Sequence, residues 1–217
     1  MKYSLFSIAR HALNRHKGWT EAWRKPALEK QYDVVIIGGG GHGLATAYYL
    51  AKLNNDLRVA VLEKGWIGGG NTGRNTTGIR SNYFLAENAK FYDYSLKLWE
   101  NLTQELNFNL MFSQRGWVSL CHSSSDVERL TTRYNALRLN NIDGDTLTLD
   151  QLKAMLPDLN YSPDARFPIS GAVIQRRGGV ARHDAVAWGY ARAASRLGVD
   201  IIENCEVGAI DVNKNTV

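Results

Sequence analysis

Cysteine is scarce in this sequence. Cys121 and Cys205 are the two, far apart and in no metal or redox spacing, which excludes a disulfide scaffold and a thiolate metal site and reads them as small core thiols in a reducing compartment. Long apolar runs are also missing. No segment approaches the roughly 20 residues that span a bilayer, and the opening "MKYSLFSIARHALNRHKGW" breaks each apolar patch with a cation, so it contains no signal-peptide core. The address read from these absences is cytoplasmic, with no membrane association and no metal. Repeats and low-complexity stretches are absent as well. The chain is still well able to fold: 44% of its 217 residues are hydrophobic and 22% charged, enough for one large domain or two small ones and far from a disordered composition.

The net charge of +5 is unevenly placed. Lys2, Arg10, Arg15, Lys17, Arg24, Lys25 and Lys30 crowd the first 30 residues, interleaved with Phe6, Ile8, Ala12, Leu13, Trp19 and Trp23. Aromatic anchors among cations suit a protein contact better than nucleic acid. Residues 1–30 are therefore read as a basic extension that packs on a partner subunit or on the surface of the next domain, and no nucleic-acid partner is expected.

The strongest local signal starts at Tyr32. In "YDVVIIGGGGHGLATAYYLAK" a short β-branched run meets a glycine turn and then an alanine-rich helix, with Gly38, Gly40 and Gly43 in the G-x-G-x-x-G register. The first glycine permits the tight turn, the second lets the backbone approach a pyrophosphate, and the third lets helix and strand pack closely. The helix N-terminus then faces the phosphate charge. A second buried strand, "LRVAVLEKG", ends in Glu63, 20 residues past Gly43, where an acid accepts from the adenosine ribose hydroxyls and repels a 2′-phosphate. This selects FAD or NAD over NADP. The next segment, "GWIGGGNTGRNTTGIRSNY", is a second glycine-rich loop carrying Asn71, Thr72, Arg74, Thr76 and Thr77. A NAD domain has no need of it, whereas a flavin can use its N–H groups, hydroxyls and arginine.

This loop resembles that of the D-amino-acid-oxidase-like family of flavoenzymes, and more closely that of the β subunits of heterotetrameric sarcosine oxidases. The resemblance runs from about Tyr32 to the last residue, through "VVIIGGGGHGLATAYYLAK", "VLEKGWIGGGNTGRNTT", "IRSNY", "FSQRG" and "ARHDAVAW". It implies an α/β fold: a Rossmann-like FAD-binding domain of the glutathione-reductase/D-amino-acid-oxidase type, with an inserted α+β substrate-domain segment. On that basis residues 31–85 form the first part of the FAD domain, 86–160 a partial substrate or cap domain, and 161–217 the return to the FAD domain. The end of the chain, "CEVGAIDVNKNTV", reads as a strand, a turn at "NKN" and the start of a hairpin partner. A C-terminal truncation is expected from that unpaired edge, with a flavin-side lysine of the family lying in the missing part.

Between the motifs the patterns are coarser. Residues 87–106 place Phe91, Leu98, Trp99, Leu102 and Leu106 on one helical face, and "GWVSLCH" alternates as a strand. Val127, Leu130, Tyr134 and Leu137 recur at helical spacing after the capping "SSSD", and "LDQLKAML" is a short helix stopped by Pro157. Strand "GAVIQ", a helix from about Asp184 to Leu197 and strand "VDIIEN" restore an α/β rhythm.

The resemblance also assigns site residues. Gly41 and His42 stand as FAD contacts beside Gly38, Gly40 and Gly43; Glu63 is the ribose acceptor; Asn71, Thr76 and Gly78 are later contacts, beside Arg74 of the same glycine loop, and the main chain of Val207 meets the adenine edge, with an ordinary strand valine as the other reading. Gly78 departs from the bulkier aliphatic residue often found there, so only its backbone contact is expected. Arg80 matches an arginine that pairs with the substrate carboxylate in monomeric relatives, a task suited to a bidentate guanidinium, with a structural ion pair as the other reading. His183, after "RRGG", opens a helix whose N-terminus disfavours an imidazolium. Taken alone it is a helix-start histidine making a local hydrogen bond. A neutral imidazole there is also the nucleophile that captures an 8α-methyl flavin, with Asp184 placed to orient the ring, and the resemblance makes His183 the anchor of covalent FMN. His11, His16 and His122 receive no role.

The reaction so implied is oxidation of sarcosine, or a close N-methyl amino acid, with hydride passing to noncovalent FAD, electrons to FMN on His183, and oxygen reduced to hydrogen peroxide. The one-carbon product leaves as formaldehyde or is taken by tetrahydrofolate on a partner, the partners being α, γ and δ subunits. A single-FAD dimethylglycine or D-amino-acid oxidase or dehydrogenase, and a non-catalytic flavin-binding fragment, are the alternatives.

Overall fold

The computed structural model describes residues 4–15, 17–18 and 21–212. Its contacts divide the chain into two compact units, Met1–Ile67 with Tyr190–Val217, and Gly68–Gly189.

The first unit is built on a three-stranded parallel sheet in the order β1 (Val34–Ile37), β2 (Val59–Leu62), β8 (Asp200–Ile202). Val34 pairs with Val59 and Ala60 with Asp200. Parallel neighbours need a crossover, and helix α2 (Gly41–Leu53) supplies it between β1 and β2, packing on both strands. Its buried face is Leu44, Ala47, Tyr48 and Ala51, which recur at three- and four-residue intervals and meet a wholly buried Val59–Val61. Leu44, Val59 and Val61, fully buried, each stabilise by roughly 1.5–3 kcal/mol. β1 stands at a sheet edge, with Val35 and Ile37 about half exposed.

Part of the basic extension lies on this unit. Arg24 donates its N–H to Ser195 Oγ at 3.0 Å and pairs with Asp200 at 3.1 Å, and Trp23 Nε1 donates to Glu203 Oε2 at 3.3 Å. Tyr32 Oη donates to Asp200 Oδ2 at 3.0 Å. Upstream, helix α1 (Leu5–Leu13) is capped by Ser4, and Leu5, Phe6 and Leu13 are exposed. Trp19 and His16 lie outside the described residues.

In the second unit a three-stranded antiparallel sheet runs β4 (Trp117–Cys121), β6 (Gly171–Gln175), β5 (Asp145–Leu147). α3 (Ala86–Glu105), α4 (Ser124–Leu139) and α5 (Leu149–Met155) belong to the same unit. The cap in "SSSD" stands where the sequence signal places it, Ser123 accepting from Asp126 N–H, and the structure adds a capping box of Thr148 with Gln151 at the start of α5. Ala89, Tyr134, Leu137, Ile142 and Val173 make one core cluster, and Leu147, Leu152, Ala172 and Ile174 a second.

Four expectations change. "GAVIQ" is not the start of a return to the parallel sheet, because β6 bonds antiparallel to β4 and β5; the contact boundary lies inside helix α6 (His183–Arg196), between Gly189 and Tyr190, not at 161. The other boundary falls at Gly68, inside the second glycine loop, not at 86. On α3, Phe91 is 68% exposed: the helix meets its core through small Ala89, and a residue two positions on is turned by about 200°. Residues 205–212 form no strand, their only marked tie to the sheet being Cys205 N–H to Glu63 O at 2.9 Å, and 213–217 lie outside the described residues. Cys121 is buried and Cys205 partly so, both free.

Candidate functional site

The glycine turn closes between β1 and α2. Gly38 has φ +109° and donates its N–H to Leu62 O at 2.8 Å, a conformation that glycine adopts without steric cost. A Cβ on Gly43 would collide with Gly38 O, so the third glycine sets how near the helix approaches the turn. Gly40 is the N-cap of α2 and supplies no capping side chain, leaving the helix start suited to an anion. Glu63 follows β2. Its Oε2 accepts the Gly39 N–H at 2.7 Å and its Oε1 the Gly65 N–H at 2.9 Å, so two backbone donors orient the carboxylate beside the turn. Each oxygen keeps acceptor capacity for a further donor such as a ribose hydroxyl. Gly41 and His42 lie in the first turn of α2, His42 exposed. Val207 is partly buried in irregular chain after β8.

Glu203 ties this region to the chain leading into the second loop. Its Oε1 accepts the Ile67 N–H at 2.9 Å while Oε2 takes the indole N–H of Trp23.

From Gly68 onward the second glycine loop belongs to the other unit. Gly68 has φ +75°, and Asn71–Arg74 form a single 3-10 turn, with Asn71, Arg74 and Thr76 exposed. Thr77 takes φ +60°, its N–H held by Asn75 Oδ1 at 2.7 Å. The short strand β3 (Gly78–Ile79) then pairs antiparallel with β7 (Gly179–Val180), and Ala181 N–H donates to Thr77 O at 3.1 Å. Loop and histidine segment are thus one hydrogen-bonded piece. The glycines of "RRGG" allow close packing against neighbouring chain: a Cβ on Gly179 would strike Ser113 O, and one on Gly178 would lie 2.8 Å from Trp117 Cβ.

His183 is the first residue of α6. Its Nδ1 is buried and has no hydrogen-bond partner among the described residues, which is uncommon for a buried polar atom and costs free energy until something meets it. Asp184 does not orient the ring. Its carboxylate makes a double contact with Arg182, at 2.7 and 3.2 Å, and caps the Ala185 N–H at 2.8 Å; the Arg182 hydrogen bond holds its pKa below the usual carboxylate range.

Arg80 forms no ion pair with a carboxylate among the described residues. Its Nη1 donates to Asn82 Oδ1 at 2.7 Å, and its guanidinium lies 4.3 Å from the Tyr83 ring centre and 5.2 Å from that of Trp117. The absent side chain of Gly78 explains the neighbourhood, since a Cβ there would lie 2.5 Å from the Trp117 ring. Behind Arg80 runs a buried polar network. Asn82 Nδ2 donates to Tyr134 Oη at 2.6 Å, and Gln175 Nε2 donates to Ser81 Oγ at 2.7 Å and to Asp143 Oδ1 at 3.0 Å. Burial pushes the Tyr134 hydroxyl pKa up. Sequence patterns missed this network, because polar residues distant in the chain announce no pairing; Asn82, in "IRSNY", and Gln175, ending an apolar strand, were the only signals. No cluster among the described residues could hold a metal ion, and no described helix is long and apolar enough to cross a membrane.

The chain is similar to known proteins. The chain is 56% identical to sarcosine oxidase subunit beta of Rhizobium meliloti over 210 residues, 97% of the chain and 50% of that protein, and 48% identical to the subunit of that name from Rhodobacter capsulatus, over 96% of the chain and 50% of the relative. It thus spans about half the length of these curated relatives. Among solved structures it is similar to L-proline dehydrogenase from P. horikoshii, at 26% identity and a TM-score of 0.78 over 87% of the chain and 48% of that protein. Residues 33–217 match the model of the FAD dependent oxidoreductase family, and with strand, glycine turn, helix and acid all in place the chain belongs to that family.

Proposed function

We propose that this chain acts as a β-type subunit of a sarcosine oxidase, oxidising sarcosine or a close N-methyl amino acid. The overall reaction takes sarcosine, water and oxygen to glycine, formaldehyde and hydrogen peroxide, with tetrahydrofolate on a partner subunit able to take the one-carbon unit instead. The observation that carries the reading is the glycine turn with Glu63: Gly43 permits close approach of α2 to the turn, and the N–H groups of Gly39 and Gly65 orient the carboxylate. Gly38, Gly40, Gly41, His42 and Gly43 would hold the FAD pyrophosphate, Glu63 the ribose, and Asn71, Arg74, Thr76 and Gly78 the flavin side, with Val207 at the adenine. When bound, FAD supplies a two-electron acceptor for the carbon beside the substrate nitrogen. Arg80, which no carboxylate neutralises among the described residues, would orient the substrate carboxylate.

His183 would carry FMN covalently. The buried Nδ1, without a partner among the described residues, supports that role, because no local hydrogen bond among them, the ordinary task of such a histidine, occupies it. The similarity to proteins named as subunits supports α, γ and δ partners, and the cytoplasm is the proposed location.

Full-length protein co-expressed with its partners tests the reading. Sarcosine should bleach the flavin absorbance, and acid precipitation should leave one flavin on the wild-type protein and none on His183→Ala. Bleaching without an acid-stable flavin would assign a single-FAD amine oxidase or dehydrogenase. No bleaching with any N-methyl amino acid would reduce the chain to a flavin-binding element.

A further inference from the structure

Arginine is an effective carboxylate ligand only when its fork points the right way, and its long side chain does not hold a direction unaided. Arg80 is held on three sides. Tyr83 and Trp117 lie against the guanidinium, at 4.3 and 5.2 Å from their ring centres, and Asn82 Oδ1 accepts from Nη1 at 2.7 Å. One N–H of the five is thereby committed, and pairs suited to bidentate binding remain.

Asn82 is itself held. It is 3% exposed, Tyr134 is 1% exposed, and its Nδ2 donates to Tyr134 Oη at 2.6 Å. The guanidinium of Arg80 carries only donors, so the amide oxygen must face it, and Nδ2 is left to donate to the Tyr134 hydroxyl, which can accept. The choice of amide over acid has a consequence. A neutral acceptor directs the cation without neutralising it, whereas an aspartate of the same shape would be a competing carboxylate. Burial raises the stakes further, since losing Tyr134 Oη would leave the Asn82 N–H groups without that acceptor.

We propose that Asn82, anchored by Tyr134, is a positioning residue that aims Arg80 at the substrate carboxylate. This rests on the reading of Arg80 given above, and the two are separable by experiment.

The test uses the full-length, flavin-loaded protein with its partner subunits and the variants Arg80→Ala, Asn82→Ala, Asn82→Asp and Tyr134→Phe. Two substrates are compared, sarcosine and its amide, which lacks the carboxylate, and binding of propionate is followed by its perturbation of the flavin spectrum. Asn82→Ala and Tyr134→Phe should each raise the sarcosine KM and the propionate Kd about tenfold, the scale of one lost neutral hydrogen bond. Turnover at saturation should stay within about twofold, and the KM of the amide should not move. Asn82→Asp should weaken propionate by more than Asn82→Ala does, because the new carboxylate occupies Arg80.

If Arg80→Ala weakens propionate while Asn82→Ala and Tyr134→Phe bind it as the wild type does, positioning is wrong and the carboxylate role of Arg80 stands. If Arg80→Ala itself leaves propionate binding unchanged, both fall. Equal losses for sarcosine and the amide would show that the network only supports the fold. Should Tyr134→Phe not fold, the contrast between Asn82→Ala and Asn82→Asp decides the matter, and a stronger propionate complex in Asn82→Asp overturns the proposal.

Discussion

Ala181 donates its backbone N–H to the carbonyl of Thr77 at 3.1 Å. That bond extends the β3–β7 pair by one step and joins the second glycine loop to the chain two residues before His183. Thr77 itself sits at φ +60°, an uncommon conformation for a β-branched residue, and the Asn75 side chain holds it there while donating to Thr72 O at 2.6 Å. Asn75→Ala should cost about 1 kcal/mol and should loosen FAD in the full-length protein. Urea unfolding and the flavin released on gel filtration would check both, and unchanged retention would show that the loop needs no such clamp.

Gly78 and Trp117 form a second coupled pair. A methyl at Gly78 has no space while the Trp117 ring is present, so Gly78→Ala should destabilise by about 1–3 kcal/mol through overpacking. In a Trp117→Leu background the same substitution should cost much less. Thermal unfolding of the two single variants and the double gives the coupling energy; additive effects would mean that the ring simply moves aside.

The parts legible in the sequence are those set by neighbours in the chain. The Gly38–Gly43 turn needs its glycines at fixed offsets, Ser123 acts on a group three residues away, and α4 buries Tyr134 and Leu137 at helical spacing. What escaped depends on partners far along the chain. Asn82 and Tyr134 are 52 residues apart. A short apolar run such as Gly171–Gln175 also carries no mark of its partners' direction, so its antiparallel place beside β4 and β5 could not be told from a parallel one. Asp184 illustrates a local miss: adjacency to His183 suggested that pair, yet the Arg182 fork makes the two-point contact.

Acidification should be felt at Glu100. It accepts from Arg177 Nε and Nη2 at 2.8 and 2.9 Å, and the hydrogen bond from Arg177 holds its pKa below the ordinary carboxylate range. A depressed native pKa favours the folded state above the unfolded value, and that contribution is lost as pH falls through the native one. Glu100→Gln should therefore reduce stability by about 1 kcal/mol at pH 7, with the gap to wild type closing below about pH 4. Denaturant midpoints across pH 3–7, a window set around that range, would reveal a gap that instead stays constant if packing alone is responsible.

The contact between Asp184 and Arg182 separates two ways of activating His183. Were the carboxylate to orient the imidazole, removing its charge would impair flavin attachment. In the structure both carboxylate oxygens face Arg182, and one also accepts the Ala185 N–H. Asp184→Asn should accordingly leave the acid-stable flavin fraction of the full complex near the wild-type level. It should lower stability modestly, by about 0.5–1 kcal/mol, as an acid is withdrawn from the first turn of α6. Flavin fluorescence of acid-precipitated protein and thermal unfolding give the two readouts. Loss of the acid-stable flavin in Asp184→Asn at unchanged stability would assign the orienting role to the carboxylate after all, with Arg182 giving way to the imidazole in the assembled protein.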